Sequence, residues 1–199
     1  MPDPTQNQPQ RPPQARRKTL ASVVGVATAM ALLTQIPAEE SGRKVAVTIA
    51  ADGAATVRNI SGPQYLRPYL DIVGVATACD GLTSYQGRKI TKADHFTEAQ
   101  CAAALEDELV VHAERVMACT PGLSLTIPRR DMARFAAVSL AYNVGAAGYC
   151  RSTAARMFNA GRIRQGCDAI LMWNKAGGRV IAGLDARRRR ERAKCLLDA

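Results

Sequence analysis

The spacing of apolar residues changes character near residue 97, and that change sets the architecture. Upstream, Lys44-Val-Ala-Val-Thr-Ile-Ala50 and Ala55-Thr-Val-Arg-Asn-Ile60 are β-branched and alternate, with the hairpin turn signal Asp52-Gly53 between them. The pattern predicts a β-hairpin over 45–60. Tyr69 to Thr83 predicts another strand, a tight turn at Gly74 and a return strand. Downstream, Thr97-Glu-Ala-Gln100 has the form of a capping box opening a helix that runs to about Ala118, where Thr120-Pro-Gly122 stops it. A second helix follows from Pro128 and Asp131 to Asn143. The expected fold is α+β: a small β-rich lobe over 44–92, a larger helical lobe over 97–197, and a ligand groove where they meet.

The N-terminus has a different composition. Met1 to Gln14 is rich in Pro and Gln without apolar periodicity, so residues 1–18 are predicted to be disordered. Arg16-Arg17-Lys18 then precedes an apolar run, Leu20 to Leu33, shorter than the roughly 20 residues a spanning helix needs. Basic residues before a short apolar stretch indicate an export segment over 19–38, although a buried helix would have a similar sequence. Six cysteines downstream of such a segment predict disulfides in an oxidising compartment. Sequence leaves their connectivity open, and Cys150–Cys167, flanking one helix–loop unit, is the favoured pair. With no Cys-x-x-Cys and only His95 and His112, neither a metal site nor a cofactor is expected.

The formal net charge of +10 calls for a polyanionic counterpart: nucleic acid, anionic lipid or cell wall. The densest basic run is Arg187 to Arg190 with Arg192 and Lys194, expected as a helical stripe facing wall polymer or lipid. Nucleic acid is not expected as a partner, because no aromatic–basic interleaving accompanies the run.

The stretch Tyr65-Leu-Arg-Pro-Tyr-Leu-Asp71, Gly74, Thr77, Cys79 and Gly81 resembles the active-site hairpin of the phage-type lysozymes, glycoside hydrolase family 24. That family reads Glu-Gly-x-x-Leu-x-x-Tyr-x-Asp, a Gly turn, then Thr-x-Cys/Gly-x-Gly-His. Asn143-Val-Gly145, Ser152-Thr153, Phe158-Asn-Ala-Gly161, Trp173-Asn-Lys-Ala-Gly-Gly178, Gly183-Leu184 and the Arg187 to Arg192 run resemble its helical lobe in the same order. The likeness covers residues 63–197. It departs at two points: Gly62 stands where the catalytic Glu is expected, and Leu82 where His is common. The segment at 20–33 is also similar to the signal-anchor-release segments of some phage endolysins, which first tether the enzyme to the inner membrane and later leave it.

The resemblance implies a monomeric exported muramidase in the periplasm that cuts the glycan strands of peptidoglycan during host lysis. Glycoside hydrolysis ordinarily uses two carboxyl groups, one donating a proton and one acting on water or on the oxocarbenium-like state. Asp71 matches the second role, with Thr77 placing the water. The resemblance also brings Tyr69, Gly81, Asn143 and Gly145 to the substrate. The donor must lie elsewhere. Asp80 leads the candidates, although its strand parity points it away from the face of Thr77. Asp52, Glu39 and Glu40 follow. A lysozyme-like protein that binds peptidoglycan without turnover is the alternative, because losing one of two carboxyls removes most of the rate. A single general acid/base would also suit a transglycosylase outcome.

Overall fold

A computed structural model describes residues 18–71 and 74–199; the Pro/Gln-rich stretch expected to be disordered and Arg16-Arg17 lie outside the described residues. The apolar run folds as two helices, α1 (Leu20–Val24) and α2 (Val26–Glu40), broken at Gly25, whose φ of +88° a side-chain-bearing residue rarely adopts. Thr19 caps α1 by accepting from Ser22 N–H. Leu20, Val24, Ala29, Leu32, Leu33 and Ile36 are completely buried. Each such Leu or Ile contributes roughly 2 kcal/mol relative to exposure. Side chains that in sequence argue for lipid here form the middle of the protein core, and among the described residues no helix is long and apolar enough to cross a membrane.

The predicted hairpin is present. Strand β1 (Lys44–Ile49) pairs antiparallel with β2 (Ala55–Ser61), with Val47 opposite Val57. It packs on α2 and on α3 (Glu98–Cys119), and Val45 and Val57 join the main core. A second, smaller core gathers Ala78, Cys79, Leu82, Ile90 and Phe96 against Cys101 and Ala104 of α3. Its backbone is two short hairpins, β3 (Tyr69–Leu70) with β4 (Ala76–Thr77), and β5 (Ser84–Tyr85) with β6 (Arg88–Lys89). The β-rich lobe expected over 44–92 is thus divided: the first hairpin packs with the helices, and the separate small core starts near Leu66.

The helical half follows the expected order. The capping box at Thr97 and Gln100 is formed, with Thr97 Oγ1 accepting from Gln100 N–H and Gln100 Oε1 from Thr97 N–H. Helix α4 (Asp131–Val144) is buried from Ala133 to Ala141 and lies between α2 and α8 (Ala182–Cys195). Between them run α5 (Ala146–Cys150), α6 (Thr153–Asn159), α7 (Ile163–Ala169) and a small hairpin, β7 (Lys175–Ala176) with β8 (Arg179–Val180).

Three disulfides link Cys79 to Cys101, Cys119 to Cys150, and Cys167 to Cys195. The expected Cys150–Cys167 pair does not form. Helix α5 packs on α3, whose last residue is Cys119, while α7 packs on α8, whose last residue is Cys195. Helix packing, not nearness in sequence, chose the partners.

Candidate active site

The β3–β4 hairpin presents one catalytic candidate. Tyr69 pairs with Thr77, and Asp71 N–H donates to Val75 O at 2.9 Å. Cross-strand partners share a face, and residues two apart on a strand share it too, so Tyr69, Asp71 and Thr77 face the same way. Asp71 Oδ1 accepts from Val75 N–H at 2.8 Å, and Gly74, at φ +79°, closes the turn by donating to Asp71 O. Thr77 is 5% exposed, and its hydroxyl donates to Val75 O at 3.2 Å.

A second carboxylate approaches from elsewhere. Glu40 is the last residue of α2. Its Oε1 accepts from Arg187 Nη1 at 2.7 Å, and its Oε2 would lie 3.9 Å from a Cβ placed at Gly81. The Tyr69 phenol pKa is pushed up by burial first, then by Tyr65, and then by the negative charges of Asp71 and Glu40. A complete hairpin, β1–β2, separates Glu40 from Asp71 in sequence.

A buried network fixes this end of α2. Glu191, 1% exposed, accepts through Oε1 from Ser139 Oγ at 2.6 Å, from Arg188 Nη2 at 2.8 Å and from Arg187 Nε at 3.3 Å. Arg188, completely buried, also places Nε 2.7 Å from Glu191 Oε2 and donates from Nη1 to Asn143 Oδ1 at 3.2 Å. One carboxylate on α8 thus holds both the guanidinium that grips Glu40 and the one that orients Asn143. On the other side, Tyr142 OH donates to Glu108 Oε2 at 3.3 Å and its ring leans on His112. Burial pushes the Glu108 carboxyl pKa up; the Tyr142 hydrogen bond opposes this and the charge of Glu40 adds to it. Burial, then Glu108, Glu40 and Asp80, push the Tyr142 hydroxyl well above the usual tyrosine range. No group of three or more metal-ligating side chains occurs among the described residues.

The phage lysozyme family model matches residues 62–191. The chain belongs to the phage lysozyme family. It is 36% identical over 172 residues to a SAR-endolysin of bacteriophage PS119, covering 86% of this chain and 98% of that one. It is 34% identical over 185 residues to the SAR-endolysin of enterobacteria phage P21, covering 93% and 97%. The solved active form of P1 phage endolysin Lyz is similar in fold, with TM-score 0.64 at 22% identity over 89% of this chain and 91% of that one. As a phage lysozyme the protein is a glycoside hydrolase of peptidoglycan.

Set in this phage lysozyme, the residues singled out by sequence divide into two groups. Tyr69, Asp71 and Thr77 share the β3–β4 hairpin, Gly81 lies close to Glu40, and Asn143 reaches the network that holds Glu40 through Arg188. Gly145, at φ +84°, breaks the chain between α4 and α5 with no atom within 4 Å of its missing side chain. Asp80 has a different role from the expected one. It is 1% exposed and is gripped by Arg43 through Nε at 2.7 Å and Nη2 at 2.5 Å, with Ser41 Oγ donating at 2.8 Å. A carboxylate so enclosed is not open to a glycosidic oxygen; it ties the small lobe to the backbone just past Glu40. Asp52 Oδ1 accepts from Ala54 N–H at an exposed hairpin tip. Glu39 pairs with Arg190; burial would raise its pKa, but hydrogen bonds from Arg190 and Gln35 outweigh burial and lower it.

Position 62 is explained sterically. A Cβ there would stand 2.7 Å from Arg43 Cα, so a glutamate is excluded. The chain reaches position 62 through the β1–β2 hairpin, and the helix before that hairpin, α2, ends in Glu40. Sequence reasoning also missed Arg187, Glu191, Glu108 and Tyr142 as parts of the site. The one available signal was the Glu39-Glu40 pair closing an otherwise apolar helix.

Proposed function

We propose that Glu40 is the general acid of this muramidase and that Asp71, with Thr77, serves the opposite side of the scissile bond. The observation that carries this assignment is the placement of Glu40, with Oε2 3.9 Å from the Cβ position of Gly81, four residues past Thr77, and Oε1 clamped by the buried Arg187. An acid must meet the leaving oxygen in a fixed orientation, and a guanidinium held in place by Glu191 supplies that orientation. Asp71 is fixed independently by Val75 N–H at the hairpin turn, so the two groups are set on separate elements. Thr77 shares the face of Asp71 and can help place the water. A binding protein without turnover was attractive only while the donor was missing, and Glu40 fills that place.

The test is clearing of bacterial walls by purified protein. Glu40→Gln and Asp71→Asn each lose at least about a hundredfold in rate, the usual worth of a positioned acid or base. Asp80→Asn lowers stability but leaves the folded fraction active. Wall clearing by Glu40→Gln at the wild-type rate would overturn the assignment.

The same reading covers location. We infer a periplasmic enzyme that works as a monomer, since acid, clamp and hairpin come from one chain. The apolar 20–36 segment serves first as an inner-membrane tether and then, once released, as the core of the fold. Relatives named SAR-endolysins and the weak apolarity of the segment support that order. Fractionation of expressing cells tests it: protein found only in the soluble fraction from the start would remove the tethered stage.

A further inference from the structure

The basic run expected to supply a polyanion surface is largely committed to ion pairs within the chain, two of its arginines buried and three at the surface. Arg187 and Arg188 are buried on Glu40 and Glu191, Arg189 pairs with Asp185, Arg190 with Glu39, and Arg192 with Asp168. Unpaired positive charge is concentrated elsewhere. A shallow concavity of about 740 Å³ lies between the loop preceding α4 and the start of α7, lined by Arg129, Arg130, Arg162 and Arg164. None of the four makes an ion pair among the described residues, and Arg130 Nε is buried without a partner. The lining carboxylate, Asp198, is engaged through Oδ2 with the N–H groups of Met132 and Ala133, at 2.7 and 2.8 Å. Even counting a carboxylate at Ala199, positive charge dominates.

Two further features mark this face. First, its loop is held rigidly. Arg134, 4% exposed, donates from Nε to Leu123 O and from Nη2 to Ser124 O and Ile127 O, and Arg129 is fixed at a φ of +57°. Second, large apolar side chains border it. Leu125 is 47% exposed, Val26 54% and Leu197 73%. They are neighbours of the concavity. Leu125 Cδ2 and Asp131 Oδ1 each stand 3.6 Å from the Cβ position of Gly25, adjacent to Val26, and Leu197 precedes Asp198.

We propose that this face docks the folded enzyme onto the anionic headgroups of a phospholipid leaflet, the four guanidiniums meeting phosphates while Val26, Leu125 and Leu197 enter the interface. Charge complementarity selects an anionic surface, and the apolar border selects lipid over a soluble polyanion, which offers those side chains nothing to enter. The inference goes beyond the catalytic assignment and does not depend on it. Its consequence is that the enzyme stays at the membrane surface after its apolar segment has folded into the core.

The experiment is sedimentation of the full chain with vesicles of phosphatidylglycerol and phosphatidylethanolamine, against phosphatidylcholine alone, across a salt series. Each basic residue near an anionic surface is worth about a fivefold change in partition. Arg129→Gln/Arg130→Gln should lose about 25-fold, and the variant that also carries Arg162→Gln and Arg164→Gln several hundredfold. Leu125→Ser/Leu197→Ser should lose binding at high salt as well as low. Wall clearing and thermal unfolding of the double variants stay at wild-type values, and they suffice if the fourfold variant fails to fold. Equal binding to neutral and anionic vesicles, or undiminished binding by the arginine variants, overturns the proposal. So does loss of binding to purified wall or to an oligonucleotide with vesicle binding intact, because the face would then serve a different polyanion.

Discussion

Glu191 is the residue whose removal should reveal most about how the site is held. Glu191→Ala leaves the completely buried Arg188 without its ion-pair partner and Arg187, 5% exposed, with Glu40 alone. Breaking one side of a buried pair costs about 3–5 kcal/mol, because a desolvated charge is left uncompensated. For a chain of this size about 1 kcal/mol shifts Tm by roughly 2–4 °C, so Tm should fall by roughly 6–20 °C. The companion variant Arg188→Met/Glu191→Leu removes both charges and keeps the volume filled. It should recover more than half of that loss, since apolar replacement of a buried pair is often neutral. Urea denaturation of the wild type, the single variant and the double variant gives the three free energies directly. A cost below about 1 kcal/mol for Glu191→Ala, or a double variant no more stable than the single one, would show that Glu191 is not the hub described here.

Other expectations are simpler. Leu33→Ala, in the middle of α2, should cost about 2–5 kcal/mol by leaving a cavity in the main core, and a loss under about 1 kcal/mol would mean that the segment is not packed as described. Gly62→Glu should unfold or strongly destabilise the protein rather than supply another acid; normal stability with faster wall clearing would contradict the contact with Arg43. Burial, then the charge of Arg115, lowers the His112 pKa. The unfolded chain takes up a proton near pH 6.5 that the folded chain resists, so stability falls as pH drops below that point. His112→Gln should flatten the change between pH 7 and pH 5, and an unchanged slope in urea titrations would assign the effect to other groups.

The elements legible in sequence were those fixed by local chemistry. Alternation with Asp52-Gly53 defined the first hairpin, Thr97 and Gln100 defined the start of α3, and the Asp71–Gly74–Thr77 spacing defined the hairpin that carries Asp71. Long-range pairing decided what remained hidden. The nearness of Glu40 to Gly81 was hidden because the whole β1–β2 hairpin lies between them in sequence, and spacing rules count only contiguous residues. Asp80 was misread because nothing local indicates that Arg43 will enclose it. The arginine run of α8 looked like free surface because the carboxylates that neutralise it come from α2, from α7 and from α8 itself. Hydropathy could not tell whether residues 20–36 face lipid or protein, since both environments favour the same side chains.

The position of Glu40 at the end of α2 has a further consequence. In the proposed assignment, the proton-delivering group rides the final turn of a helix whose other turns pack into the core. Whenever that helix is elsewhere, the carboxyl is displaced with it and the hairpin bearing Asp71 has no counterpart. If Glu40 is the acid, latency of this kind requires neither a propeptide nor a separate inhibitor, because wall cleavage would wait for α2 to pack into the core.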